Sequence, residues 1–224
     1  MLIKRIELLS ADLPTQQKFY ADTLELPTQL KQGALEIQIG TSQLVLTQAP
    51  EGWVGAYHFC FNIPENQFAA SKKWISSKTP LLQDEKGNDE FASDSWNSNS
   101  LYFKDAGGNI LEFIARHDQK NASQTPFNSQ QLLNISETGL PSKEVIPFAN
   151  ELCQTLGISV YRQEPNETFT PIGDEEGLLI LPVENRIWYP NTSIPARLLS
   201  VHLNLEVNGK EFILTGMPYK VSRI

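Results

Sequence analysis

The sequence predicts an α+β fold built from repeated βαβββ modules, with a third, degenerate module at the C-terminus. Three observations predict it. An order of strand, helix and further strands comes round twice before residue 120, and a polar stretch then separates it from a third start. Within the second round, "SLYFKDAGGNILEFIARH" (100–117) reads as a hairpin whose two faces differ in chemistry.

The elements follow in order. "LIKRIELL" alternates as a strand, and Asp12 is placed to cap a helix with Leu13 and Pro14 in its first turn. Phe19, Leu24 and Leu26 supply that helix's apolar stripe, and "ALEIQIG" with "SQLVLTQ" forms a hairpin about 40–42. "AYHFCFNIP" opens the second module, "ENQFAASKKWISSK" is its helix, and "NDEFAS", "NSLYFKD" and "NILEFIAR" are its strands. Residues 1–120 are thus read as paired modules and 121–131 as a linker. In 132–224, "LLNISETGL" is a strand and "PSKEVIPFANELCQTLG" a helix stopped by Gly157, with Pro147 delaying its start. "FTPIGD", "GLLILPV", "LLSVHLNLEV" and "EFILTG" complete the third module as strands.

Composition excludes several classes. A net charge of −8 without a basic run argues against nucleic-acid or anionic-membrane partners. No apolar stretch approaches a membrane span, and "MLIKRIELLSADL" lacks the pattern of a secretory leader, so a cytoplasmic protein is expected. Cys60 and Cys153 each lie in an apolar-periodic stretch and read as buried free thiols. There is no Ser-His-Asp arrangement, Cys-x-x-Cys pair or nucleotide-binding glycine run.

The hairpin at 100–117 poses the functional question. Leu101, Phe103, Leu111, Phe113 and Ala115 share one apolar face, which puts Tyr102 opposite Glu112 on the other, with Ser100 and Arg116 on the same side. That second face is either solvated or lines a cavity. A carboxylate between Leu111 and Phe113 is hard to explain as a solvated residue, which favours the cavity.

Four stretches in this order, "IELLSADLPTQQKFYADTLEL", "YHFCFNIPENQF", "SLYFKDAGGNILEF" and more weakly "ISETGLPSKEV", resemble the vicinal oxygen chelate superfamily of glyoxalases, extradiol dioxygenases and bleomycin-resistance proteins. The resemblance implies that the modules form an open, cup-shaped mixed sheet holding a divalent metal (Fe, Mn, Ni or Zn), with ligands on the first strand of each module and the last strand of the second. Carried over, these fall on His58 and Glu112, with Tyr102 and Glu112 as catalytic groups. The first ligand position falls on Arg5, which has no lone pair to offer a cation. Glu7, on the same side of the strand, supplies the missing carboxylate if the site is shifted. Otherwise Arg5 pairs with Glu112 and holds an anionic ligand, with Arg116 at the rim.

Two functions remain open at this point: a metal-dependent lyase, isomerase or dioxygenase acting on a small molecule with adjacent oxygens, and a non-catalytic protein that sequesters a small molecule. The resemblance also implies a homodimer. In the third module Glu137 occupies the spot analogous to the first ligand, while His202, Asn204 and Glu206 share a face that is more simply solvent-facing. Trp188 and Tyr189 fall in a loop that reads as a lid, an oligomer contact or, more simply, a pair of anchoring aromatics.

Overall fold

The computed structural model describes residues 1–224. The first module comprises β1 (Leu2–Ser10), α1 (Leu13–Lys18, continued by a wider π turn over Phe19–Thr23), β2 (Thr28–Lys31), β3 (Ala34–Ile39) and β4 (Ser42–Gln48). Asp12 caps α1 as expected, its carboxylate accepting from the Thr15 N–H at 3.0 Å. The second module comprises β5 (His58–Ile63), α2 (Phe68–Ser76), β6 (Phe91–Ser93), β7 (Ser98–Lys104) and β8 (Ile110–Arg116). The third begins with β9 (Asn134–Gly139), α3 (Val145–Leu156), β10 (Phe169–Asp174) and β11 (Gly177–Pro182). Gly157 ends α3 in the left-handed conformation, at φ 70°. After a long connection come β12 (Val201–Val207), β13 (Lys210–Gly216) and β14 (Tyr219–Arg223).

These strands make two seven-stranded sheets. One runs β14-β13-β12-β1-β4-β3-β2, the other β10-β11-β9-β5-β8-β7-β6. The pairing corrects the sequence reading, which put the first two modules into one cup. β1 instead pairs antiparallel with β12, and β5 pairs antiparallel with β9. The C-terminal residues therefore divide: β9 to β11 complete the second module's sheet, while the helix-free meander β12 to β14 completes the first module's. The physical reason is that periodicity fixes which face of a strand is buried but not which strand lies beside it.

A single cluster of buried apolar side chains fills the space between the sheets and helices. Ile6, Leu8, Leu44 and Leu203 enter it from the first sheet, and Phe59, Phe61, Phe113 and Ile135 from the second. The helices add Tyr20, Ile75, Ala149 and Leu152. Both sheets thereby turn their other faces outward. On the first sheet that face carries half-exposed Arg5, Glu7, His202 and Asn204. On the second it is roofed by the connection 183–200 and forms a second, smaller apolar cluster around Ile110, Tyr161, Leu178, Ile180 and Trp188. Cys60 and Cys153 are both free thiols, the first buried and the second half-buried. No helix is long and apolar enough to cross a membrane.

Candidate functional site

The roofed face of the second sheet holds a cavity of about 180 Å³, lined by His58, Tyr102 and Glu137 on the sheet and by Trp96, Phe169, Arg186, Trp188 and Tyr189 around it. Its floor follows from strand register. Tyr102 pairs with Glu112, Glu112 with Cys60, Cys60 with Glu137 and Glu137 with Leu178, one row across five adjacent strands. Residues in one row share a face of the sheet, so two carboxylates flank a thiol, with a phenol at one end. His58, two residues before Cys60 on β5, lies on the same face.

His58, Glu112 and Glu137 each present one donor atom within 4.8 Å of the others. His58 Nδ1 lies 3.1 Å from the Ile110 carbonyl, which can only accept, so Nδ1 carries the hydrogen and Nε2 keeps its lone pair. Nε2 faces the Glu112 carboxyl at 3.6 Å. Burial lowers the His58 pKa to about 4, with the Ile110 hydrogen bond opposing it. Burial, then repulsion from Glu137, raises Glu112 to about 8, with Ser100, Arg116 and Tyr102 offsetting part of the shift. Near neutrality both groups are therefore uncharged, and their contact is not an ion pair.

Arg116 balances Glu137. Its guanidinium is fully buried, donates to the Glu137 carboxylate and to Asn62 Oδ1, and lies 5.4 Å from the Trp96 ring centre and 5.8 Å from that of Tyr161. Burial raises the Glu137 pKa and Arg116 works against the shift. Burial and the Glu112 and Glu137 carboxylates push the Cys60 thiol well above its usual range, so it is not a nucleophile near neutrality.

The roof is anchored at Trp188. Its backbone N–H donates to Ile194 O at 3.0 Å and its carbonyl accepts from Thr192 Oγ1 at 2.8 Å. The indole packs on the His58 ring at 5.1 Å between centroids and closes over Gly139, where an added Cβ would sit 2.5 Å from Cη2. Tyr189 meets Tyr102 edge to face at 5.4 Å.

The structure brings together His58, Tyr102, Glu112 and Arg116. It does not bring Arg5 or Glu7 to them. Both lie on the other sheet, where Arg5 Nε donates to Glu7 Oε1 at 2.8 Å and Nη1 donates to Gln43. The expectation that Glu7 supplies a metal ligand, or that Arg5 meets Glu112, is thus corrected: β1 pairs with β12 and β4, and never borders β5 or β8. The third donor is Glu137. Its analogy to a first-strand ligand was visible in the sequence, but its place beside His58 was not. Arg116 is at the floor rather than the rim.

Donor chemistry and geometry fit a divalent cation. One neutral imidazole with a free lone pair and two carboxylates converge, and the second ring nitrogen is fixed by a backbone carbonyl, as metal-bound histidines require.

Comparison with known proteins supports the architecture. No family model matches the sequence, and no curated protein matches it. Among solved structures, a candidate dioxygenase from Bacillus subtilis superposes over 96% of this chain and 81% of its own, with TM-score 0.62 and 14% identity. A glyoxalase I mutant from Zea mays matches over 99% of this chain and 93% of its own, with TM-score 0.59 and 13% identity. The chain shares the fold of these two proteins, with its repeated modules divided between two curled sheets. At these identities the likeness concerns fold alone.

Proposed function

We propose that the roofed cup is the active site of an enzyme that acts on a small organic molecule with two adjacent oxygens, assisted by a divalent metal held by His58, Glu112 and Glu137. The observation that carries this reading is the convergence of those three donors within 4.8 Å beside a cavity that His58 and Glu137 line. A divalent ion there supplies Lewis acidity to two vicinal oxygens of a ligand. His58 keeps its Nε2 lone pair aimed inward because Ile110 holds Nδ1–H. Glu112, protonated up to about pH 8 when no cation is bound, is placed to give or take a proton at the floor. Tyr102, opposite it in register, orients the ligand, and Trp188 with Tyr189 excludes water.

A second reading, sequestration of a ligand without metal, is favoured by one observation: Glu137 already has a full counter-charge in Arg116. Thermal unfolding separates the two. Chelator-treated protein is reloaded in turn with Fe(II), Mn(II), Ni(II) and Zn(II), in parallel with His58→Ala. A ligand of the native state at a hundred times its Kd stabilises by about 2.7 kcal/mol, so the metal reading expects a rise in Tm with at least one ion that is absent from the variant. No rise with any ion, or equal rises in both proteins, contradicts it and leaves sequestration.

A further inference from the structure

Two kinds of contact hold the roof over the cup, and they are separated along the chain. At its ends the roof is tied to the body by hydrogen bonds. The Val183 N–H donates to the Thr168 carbonyl at 3.0 Å and the Glu184 N–H to the Ser142 carbonyl at 2.8 Å, while at the far end the Ser200 carbonyl accepts from the Tyr57 hydroxyl at 2.9 Å. Between these anchors the polar contacts turn inward. Every hydrogen bond made by residues 187–197 stays within 185–197. The Asn185 N–H donates to the Ala196 carbonyl and the Ala196 N–H to the Arg186 carbonyl, both at 2.7 Å, and Thr192 closes the tip on the Trp188 carbonyl. Asn185, in the left-handed region at φ 69°, marks the corner between the anchored end and this unit.

Side-chain packing alone holds residues 187–197 to the cup. Besides Trp188 on His58, the half-exposed Tyr189 ring meets Phe91 at 4.9 Å and Tyr102 at 5.4 Å, and Ala196 and Ile194 join the smaller apolar cluster. The closed position has a cost, because the Trp188 indole N–H is buried without an acceptor. It also shuts the cup: His58, Glu112 and Glu137 are 7%, 4% and 3% exposed, too little for a hydrated ion or a ring to reach them directly.

We infer that residues 185–197 are a lid that leaves the cup as one unit, turning at its anchored ends with its internal hydrogen bonds kept, while Trp188 releases His58 and Tyr189 releases Phe91 and Tyr102. That the motion admits a ligand rests on the cup being the ligand site; the motion itself is read from the contacts. Lifting the unit gives up packing but leaves no backbone group unpaired, and it brings water to the one N–H that lacks a partner. Peeling the anchors or the unit's own ladder would break paired groups instead. A segment held in this way opens far more often than the domain unfolds.

Hydrogen exchange into heavy water, followed by proton–nitrogen correlation spectra of the metal-free protein, tests this. The chain has four indole N–H groups, and the Trp188 signal is the one missing from Trp188→Phe. Because that N–H is sealed when the roof is closed, its exchange counts openings. Its protection is expected to be about a hundredfold or more below that of the Phe59 and Phe61 amides in the central strand β5, and insensitive to low urea, since a local opening exposes little surface. The Trp188 and Ala196 amides, bonded within the unit, are expected to stay better protected than the indole. Tyr189→Ala, which frees the tip, is expected to speed indole exchange about fivefold or more and leave the β5 amides unchanged. Indole protection equal to that of β5, with the same urea dependence, would mean that the roof opens only by global unfolding and would overturn the inference. So would Trp188 and Ala196 amides that exchange as fast as the indole, because the segment would then fray rather than move as a unit. No ion or ligand enters the measurement, so a lid that moves over a cup unable to bind metal removes the metal proposal and leaves this one standing.

Discussion

Arg116, at the end of β8, and Glu137, in β9, form an ion pair whose side chains are 0% and 3% exposed, across two strands that both border β5. It ties the second module to the third and sets the charge of the cup. Removing one partner strands the other, at a cost of about 3–5 kcal/mol, whereas replacing both by apolar groups restores much of it. Arg116→Met is therefore expected to lower the Tm by on the order of 10 °C, and Arg116→Met combined with Glu137→Leu by clearly less. Thermal unfolding of the single and double variants checks this, and a double variant less stable than the single would exclude the charge as the cause.

The pH dependence of the chelated protein follows from two opposed groups. Glu112 has a folded pKa raised to about 8, so the stability it contributes is fully present below its unfolded value and is lost as pH rises toward 8. His58 has a folded pKa lowered to about 4, so the unfolded chain takes up a proton first and stability falls as pH drops from about 6.5 toward 4. The two slopes oppose each other between roughly pH 4.5 and 6.5, and between about 6.5 and 8 the Glu112 slope is no longer offset by His58. Stability of the metal-free protein is expected to decline across that upper interval, and Glu112→Gln to flatten the decline. Denaturant midpoints measured at half-unit pH steps provide the test.

Gly139 determines how closely the roof can approach. A methyl at this position would overlap the Trp188 ring, at 2.5 Å from Cη2 and 3.0 Å from Cζ2. Gly139→Ala should displace the indole from His58 and cost about 1–3 kcal/mol by overpacking. Tryptophan emission should move to the red, with weaker binding of any cup ligand. An unchanged spectrum would mean that the roof does not depend on this contact.

Arg5 and Glu7 serve as controls. Their pair is 31% exposed on both sides and lies on the sheet that does not hold the cup, so it is worth about 0–1 kcal/mol. Glu7→Gln is expected to leave stability and metal binding as in the parent. Loss of metal from this variant would return Glu7 to the ligand set.

Much of this arrangement can be read from the sequence, up to a definable point. The alternation in 100–117 predicts the Tyr102 and Glu112 register that the structure contains, because period-two patterning fixes faces once a hairpin turn is set. Asp12 and Gly157 mark helix ends for local reasons that need no tertiary information. β2 and β14 are not legible in the sequence, since "TQLK" and "YKVSR" are short edge strands with little alternation. The partner of each module could not be read either, because nothing local distinguishes β1 pairing with β12 from β1 pairing with β5. That one choice moved Glu7 out of the site and Glu137 into it. The signal that could have found Glu137 is an acid within "NISETG", a strand buried along its whole length.

The most direct measurement of the central claim is X-ray absorption at the zinc edge of Zn(II)-loaded protein. One imidazole nitrogen at about 2.0–2.1 Å with oxygen donors is expected, and His58→Ala should abolish the imidazole scattering. A spectrum with no imidazole, or one unchanged in His58→Ala, would contradict a metal centre built from His58, Glu112 and Glu137.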